Sequence, residues 1–172
     1  PKVSIMDPQY TYSVSKYHTA AGTADIMSHL FELYFKEVAD GAYMQKRIIE
    51  GMLKTCIKYG PIACAKPDDY EARSNLMWVS SWAINGFLKA GFAGPWSCHP
   101  MEHQLSAYYD VTHGVGLAIL TPHWMRHILC EKTVGFFVEY GENVWGIDNS
   151  KDPFDIANEA IDKTKALFDS MD

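Results

Sequence analysis

The sequence lacks cysteine pairs at the spacing that binds metals or builds a disulfide framework. Its four cysteines, Cys56, Cys64, Cys98 and Cys130, form no CxxC motif and are sparse among 172 residues. This usage is typical of reduced thiols, so we expect a cytoplasmic protein. Cys98 directly precedes a histidine, but adjacent residues on a helix point in different directions, and we do not count it as a metal ligand.

Long apolar runs, basic clusters and a secretory signal pattern are also missing. No stretch approaches the roughly 18 apolar residues of a membrane-spanning helix, so we expect no membrane segment. The formal net charge of −6 argues against a nucleic-acid-binding protein. A hydrophobic content of 48% is enough for one sizeable core.

The sequence has no glycine-rich dinucleotide fingerprint. The segments Gly91-Phe-Ala-Gly94 and Gly114-Val-Gly116 do not make GxGxxG, and neither follows a strand pattern. The sequence therefore shows no motif that is typical of binding to the pyrophosphate of NAD or NADP.

Helical periodicity dominates what is present. A strand-like run at Val3–Met6 ends in the turn signal Asp7-Pro8, and a short helix from Ser13 to Tyr17 is broken at Gly22-Thr23. The later apolar patterns and capping signals predict helices over 25–38 (ending at Gly41), 42–58, 69–89, from His99, 114–130, 133–140 and 153–171, with a loop at 91–95. Gly60-Pro61 either ends the helix over 42–58 or starts a short segment to Ala65. We predict an all-α, multi-helix domain after one strand stub.

Two pairs of potential metal ligands are spaced four residues apart. Asp25 and His29 would share one helix face, as would His99 and His103, and His113 heads the next helix. One carboxylate with three imidazoles suits Zn²⁺ or Fe²⁺. A single such pair usually lies on the protein surface and binds nothing. Two such pairs, followed by the further histidine His113, seldom occur together by chance.

The pair His123 and His127 has the same spacing and a different interpretation. It has no carboxylate partner and lies in a helix rich in Trp, Met and Leu. We therefore interpret it as packing or surface.

These motifs resemble the iron-containing (group III) alcohol dehydrogenases, and within them the butanol dehydrogenase branch. The likeness is carried by DIMSH at 25–29, by HxxxH at 99–103 followed by His113, and by the run THGVGLAILTPHWM. It implies that Asp25, His29, His99 and His113 are the metal ligands. It also implies that His103 is a non-ligand histidine beside the nicotinamide and the substrate, serving catalysis and cofactor binding.

The resemblance also implies a domain organisation and an activity. Residues 1–10 would be the trailing edge of an absent nucleotide-binding α/β domain, and residues 11–172 a helical metal-binding catalytic domain that is incomplete at its C-terminus. The whole enzyme would use Fe²⁺ or Zn²⁺ and NADP or NAD on short-chain alcohols and aldehydes such as butanol and butanal, as a homodimer. The chain by itself would be inactive.

Several alternatives stay open at this level. His103 could relay a proton, pack on the nicotinamide, or only orient its neighbours. Glu32, one turn after His29, could orient a ligand histidine or lie at the surface, and Trp96 could line a substrate pocket, although plain core is the more common role of an aromatic there.

Two other functional classes compete with the oxidoreductase. One is a metal-dependent hydrolase or lyase, which the absence of HExxH and of an evident general base beside the ligands disfavours. The other is a helical metal-binding module without catalysis.

Overall fold

Helix α1, Lys16–Tyr34, runs through the centre of the protein. A computed structural model describes residues 2–36, 42–90 and 96–171. On α1 the side chains of Met27, Leu30 and Phe31 are completely buried. The predicted break at Gly22-Thr23 is wrong, because one glycine costs a helix only about 1 kcal/mol relative to alanine, which burial of this helix outweighs.

The described residues form six further helices, which pack around α1 and one another. They are α2 (Tyr43–Ala65), α3 (Tyr70–Ile84), α4 (Cys98–Tyr109), α5 (His113–Ile128), α6 (Val134–Tyr140) and α7 (Pro153–Met171), with a 3₁₀ turn at Pro8–Thr11 and a π-helical turn at Gly141–Trp145. The all-α architecture is confirmed for the described residues. The predicted bounds of α7 agree with the structure, where Asp152 accepts a hydrogen bond from the Phe154 N–H at 2.8 Å.

Two predicted helix ends are wrong. Helix α2 continues past Gly60-Pro61 to Ala65, and Gly60 serves close packing there, since a Cβ would lie 2.7 Å from Thr23 Cγ2. Helix α3 stops at Ile84, before the predicted Lys89. The predicted helix end at Gly41 and the loop at 91–95 lie outside the described residues.

The predicted strand stub is also wrong. Residues 2–7 have no regular structure, and Val3 and Ile5 are 79% and 94% exposed. A strand needs a neighbouring strand to satisfy its backbone hydrogen bonds, and the described part of the chain offers none here. The division into a domain edge at 1–10 and a domain at 11–172 stays a prediction.

The helices pack so that α1, α4 and α5 meet at one end. Helix α1 lies between α2 and α5, while α7 packs on α5 and α6, and α4 lies against α5 with its first turn beside α1. Helices α1 and α5 approach so closely that a Cβ on Gly114 would lie 2.1 Å from the Ala21 carbonyl oxygen. None of the described helices is both long and apolar enough to cross a membrane.

Candidate metal centre

Three histidine nitrogens converge on one carboxylate oxygen where α1, α4 and α5 meet. Asp25 Oδ1 lies 3.3 Å from His29 Nε2, 3.4 Å from His99 Nε2 and 3.7 Å from His113 Nε2. The structure therefore brings together the four residues that the resemblance singles out as ligands.

Local helix geometry places each of these side chains. Asp25 and His29 are one turn apart on α1, so they project from the same face. His99 lies in the first turn of α4, where the following Pro100 removes no internal hydrogen bond, and His113 is the first residue of α5. The site thus depends on the packing of α1 against two helix starts.

The spacing fits one divalent cation. Ligand atoms about 2.1 Å from a tetrahedral metal are about 3.4 Å from one another. Donor atoms of Asp25, His29 and His99 all lie within 4.8 Å of each other, and His113 reaches the same carboxylate oxygen from α5. One carboxylate and three imidazoles are a donor set suited to Zn²⁺ or Fe²⁺.

Asp25, His29, His99 and His113 are called the cluster below. Glu32, which also lies on α1, contacts this cluster. It is 1% exposed, so of the two possibilities left open for it the surface position is wrong. His99 Nδ1 donates a hydrogen bond to Glu32 Oε2. The carboxylate also accepts the backbone N–H groups of Ser97, Cys98 and His99, the last two at 2.7 and 3.2 Å. Glu32 therefore caps α4 and contacts a cluster histidine at once.

Glu102 makes the equivalent contact with His113. It is completely buried, and its Oε2 accepts a hydrogen bond from His113 Nδ1. Glu102 is therefore a second buried carboxylate beside the cluster, and it is not among the candidate residues named from the sequence. Glu102 belongs to α4 and His113 to α5, so no local spacing in the sequence indicates the pair.

The electrostatics of the cluster follow from these contacts. Burial alone would lower the pKa of His99, but hydrogen bonds to Asp25 and Glu32 outweigh it and raise that pKa to about 9. Burial raises the pKa of the Asp25 and Glu32 carboxyls, but the hydrogen bond of each to His99 lowers it. The net result is a decreased pKa for both carboxyls. Burial and the neighbouring His99 lower the pKa of His29. The carboxylates are therefore ionised near neutral pH, which favours a cation.

His103 lies beside the cluster without joining the set around Asp25. Its side chain is exposed, and its ring centroid is 5.3 Å from that of His113 and 6.4 Å from that of His99. Donor atoms of Glu102, His103 and His113 lie within 4.8 Å of one another. Within this group Glu102 and His113 are hydrogen-bonded directly to each other, so we interpret Glu102 as a partner of His113 Nδ1.

Trp96 packs against the cluster. Its ring centroid is 4.9 Å from that of His29 and 4.8 Å from that of His99. That this residue also lines a substrate pocket stays a prediction. His29 Nδ1 is buried and has no hydrogen-bond partner among the described residues. His123 and His127 are exposed and lie outside the cluster, in agreement with their interpretation as surface or packing residues.

An apolar cavity lies away from the cluster. It has a volume of about 560 Å³ between α1, α5 and α7, and apolar side chains such as Tyr17, Val115 and Phe168 line it. None of the cluster residues lines this cavity. All four cysteines are free, as expected.

Comparison with known proteins gives a consistent family match. Residues 19–172 match the model of the Fe-containing alcohol dehydrogenase family, C-terminal. The chain is 64% identical to NADH-dependent butanol dehydrogenase A of Clostridium acetobutylicum, over 99% of this chain and 44% of that protein. It is 33% identical to the NADPH-dependent aldehyde reductase YqhD of Escherichia coli, over 99% of this chain and 43% of that protein.

A solved structure repeats the fold. The crystal structure of NADH-dependent butanol dehydrogenase A from Thermotoga maritima superposes with a TM-score of 0.91 at 35% identity, covering 99% of this chain and 42% of that one. The chain thus spans less than half the length of the relatives that it matches.

Proposed function

This chain belongs to the Fe-containing alcohol dehydrogenase family, and on that premise we propose that it carries the metal centre of an NAD(P)-dependent alcohol dehydrogenase or aldehyde reductase. The observation behind the proposal is the convergence of three histidine nitrogens within 3.7 Å of Asp25 Oδ1. Relatives named as butanol dehydrogenases and as an aldehyde reductase support short-chain primary alcohols and aldehydes, such as butanol and butanal, as substrates.

In this proposal Asp25, His29, His99 and His113 hold one Fe²⁺ or Zn²⁺. A divalent cation bound there would act as a Lewis acid toward the oxygen of an alcohol or aldehyde. The chain's own contribution is to present four donor atoms from three packed helices. It also keeps Trp96 against two of the imidazoles, which excludes water from that side of the cluster.

His103 is the proposed residue beside the reacting groups. Its exposed imidazole can donate and accept a proton, so it is placed to relay one, or to pack on a nicotinamide ring. The chain has no dinucleotide fingerprint, so we assign none of its described residues to the pyrophosphate of NAD or NADP. Both dinucleotides occur in the names of the relatives.

The hydrolase or lyase alternative finds no support in the cluster. A carboxylate can serve as a general base only if it is free to take a proton from water. Glu32 and Glu102 are both buried and hydrogen-bonded to histidine Nδ1 atoms. We therefore retain the oxidoreductase, and propose a cytoplasmic homodimer from the family resemblance.

Metal analysis of matched variants tests the proposal. Wild-type protein should bind one equivalent of Zn²⁺ or Fe²⁺ with the four-residue cluster intact. His113→Ala should lose that ion, because it removes one of four donors, whereas His127→Ala on the same helix should keep it. An intact metal content in both Asp25→Asn and His113→Ala would contradict the ligand assignment.

Activity provides the second measurement. We expect residues 1–172 alone to show no turnover of NADH or NADPH with butanal, because proximity of cofactor and aldehyde supplies much of such a rate. Turnover at about 1 per second or more, as in an ordinary enzyme, would mean that this chain contains a complete cofactor site.

A further inference from the structure

We propose that Glu32 and Glu102 are positioning residues that hold two of the cluster histidines, His99 and His113, with Nε2 directed at the metal position. The inference rests on the proposed function, in that Nε2 is taken as the donor atom. Neither carboxylate lies among the four proposed ligands, and each contacts the opposite ring nitrogen, Nδ1.

Glu32 is held rigidly enough to orient a ring. Its two oxygens accept hydrogen bonds from three consecutive backbone N–H groups, those of Ser97, Cys98 and His99. These groups have no acceptor within α4 because they stand at its start. The negative charge is also favourable at a helix N-terminus. The carboxylate that contacts His99 Nδ1 therefore has little freedom to turn away.

Glu102 is held by a different set of contacts. Its Oε1 accepts a hydrogen bond of 2.5 Å from the Ser106 hydroxyl one turn later on α4. On the other side, a Cβ on Gly116 would lie 2.4 Å from Oε1 and 2.8 Å from the Glu102 Cγ. The absence of a side chain at Gly116 thus leaves the space that this completely buried carboxylate occupies between α4 and α5.

The two contacts have the same chemical consequence. A carboxylate accepting from Nδ1–H keeps a proton on that nitrogen, and the Nε2 lone pair is then available to a metal. His99 Nε2 and His113 Nε2 both face Asp25 Oδ1, at 3.4 and 3.7 Å. A carboxylate also makes the attached imidazole a stronger donor.

His29 is the informative exception. Its Nδ1 has no hydrogen-bond partner among the described residues, and the Trp96 ring packs against it instead. Two of the three imidazoles are therefore oriented by charge and hydrogen bonding, and the third by its helix and by packing. We expect the affinity of the cluster for a metal to fall when Glu32 or Glu102 is replaced, although all four proposed ligands remain.

Metal affinity of Glu32→Gln, Glu102→Gln and Glu102→Ala tests this inference. Glutamine keeps an acceptor oxygen without the charge, whereas alanine removes the acceptor. The dissociation constant for Zn²⁺, measured by competition with a chelator, should rise by about 10–100-fold for alanine and by less for glutamine. Glu50→Gln is the matched control, because Glu50 is also a buried carboxylate, hydrogen-bonded to Tyr34 and away from the cluster. It should leave the Zn²⁺ affinity unchanged.

A second measurement separates positioning from folding. In ¹⁵N-labelled protein the Nδ1–H protons of His99 and His113 should be hydrogen-bonded and slow to exchange with water, with or without Zn²⁺. Glu32→Gln should weaken the His99 signal alone, and Glu102→Gln the His113 signal alone. A general loss of structure in a variant would weaken both signals and lower the melting temperature of that variant.

The outcomes separate the two proposals. Zn²⁺ binding by the wild type with unchanged affinity in all three variants would overturn the positioning role, as would a histidine pair protonated at Nε2 and not at Nδ1. Absence of Zn²⁺ binding in the wild type would contradict the proposed metal centre. In that case the Nδ1–H signals of the metal-free protein still decide whether the carboxylates position the rings.

Discussion

Replacing Gly114 by alanine should both destabilise the fold and weaken the candidate metal centre. Gly114 follows His113 in the first turn of α5, where α5 lies against α1. A Cβ at this position would lie 2.1 Å from the carbonyl oxygen of Ala21 and 2.5 Å from its carbonyl carbon. Both atoms belong to the backbone, so no side-chain rotation can relieve the contact.

The structure sets the size of the effect. An ordinary contact needs the two helices to separate locally by about 1 Å, and overpacking of this kind costs about 1–3 kcal/mol. The better helix propensity of alanine offsets up to about 1 kcal/mol of that cost. Because the clash is with backbone, we expect a net loss of about 1–2 kcal/mol in the free energy of unfolding.

The matched control is Gly22→Ala on α1. Gly22 is exposed, and a Cβ there meets nothing within 4 Å. Alanine should stabilise the protein by about 0.5–1 kcal/mol, because it loses less backbone freedom on folding. A difference of about 2 kcal/mol between the two variants corresponds to melting temperatures about 4–8 °C apart for a chain of this length.

Metal binding completes the test. Separation of α5 from α1 moves His113 away from Asp25, and a shift of about 1 Å is several times the roughly 0.2 Å tolerance of a metal site. Zn²⁺ affinity should therefore fall by at least about tenfold in Gly114→Ala and stay unchanged in Gly22→Ala. If the two variants melt together and bind Zn²⁺ equally, the close approach of α1 and α5 is wrong.

Three further outcomes are expected. At pH 7.5 a thiol reagent should modify Cys130 first, because Cys130 is exposed and hydrogen bonds lower its pKa. Burial raises the pKa of Cys56 to about 12 and keeps it a protonated, unreactive thiol. Peptide mass spectrometry after a short exposure to the reagent checks this, and modification of Cys56 before Cys130 would contradict it. Arg126→Ala should change the free energy of unfolding by less than about 1 kcal/mol, because the side chain of its ion-pair partner Asp162 is 67% exposed and water screens the pair. A larger loss of stability in urea denaturation would contradict this. In the intact enzyme, His103→Ala should lower the rate of butanal reduction while metal content stays unchanged, and loss of the metal would show that His103 is a ligand.

The pairs of polar residues spaced four apart were readable from the sequence because helix periodicity is local. Asp25 and His29 share a face of any helix that contains both, whatever the rest of the chain does. The start of α7 was readable for the same reason, since Asp152 and Pro153 act on the backbone next to them. Such features depend on a few consecutive residues and need no knowledge of packing.

Helix ends that involve glycine were less predictable. Gly22 and Gly60 both look like breaks, yet α1 and α2 run through them. A glycine weakens a helix by about 1 kcal/mol, which is small beside the burial of a central helix. Whether it ends the helix or admits a close neighbour, as Gly60 admits Thr23, is decided by what packs there.

The sequence by itself determined the helical class, the family resemblance and the residues that could surround a metal. Only the tertiary structure decided that His29, His99 and His113 meet at one oxygen of Asp25. It also decided that buried carboxylates accept hydrogen bonds from the Nδ1 atoms of two of these histidines. Glu32 is 67 residues from its partner His99, and Glu102 lies on a different helix from His113. Such contacts depend on how the helices cross and how closely small residues let them approach. No periodicity within a single helix carries that information.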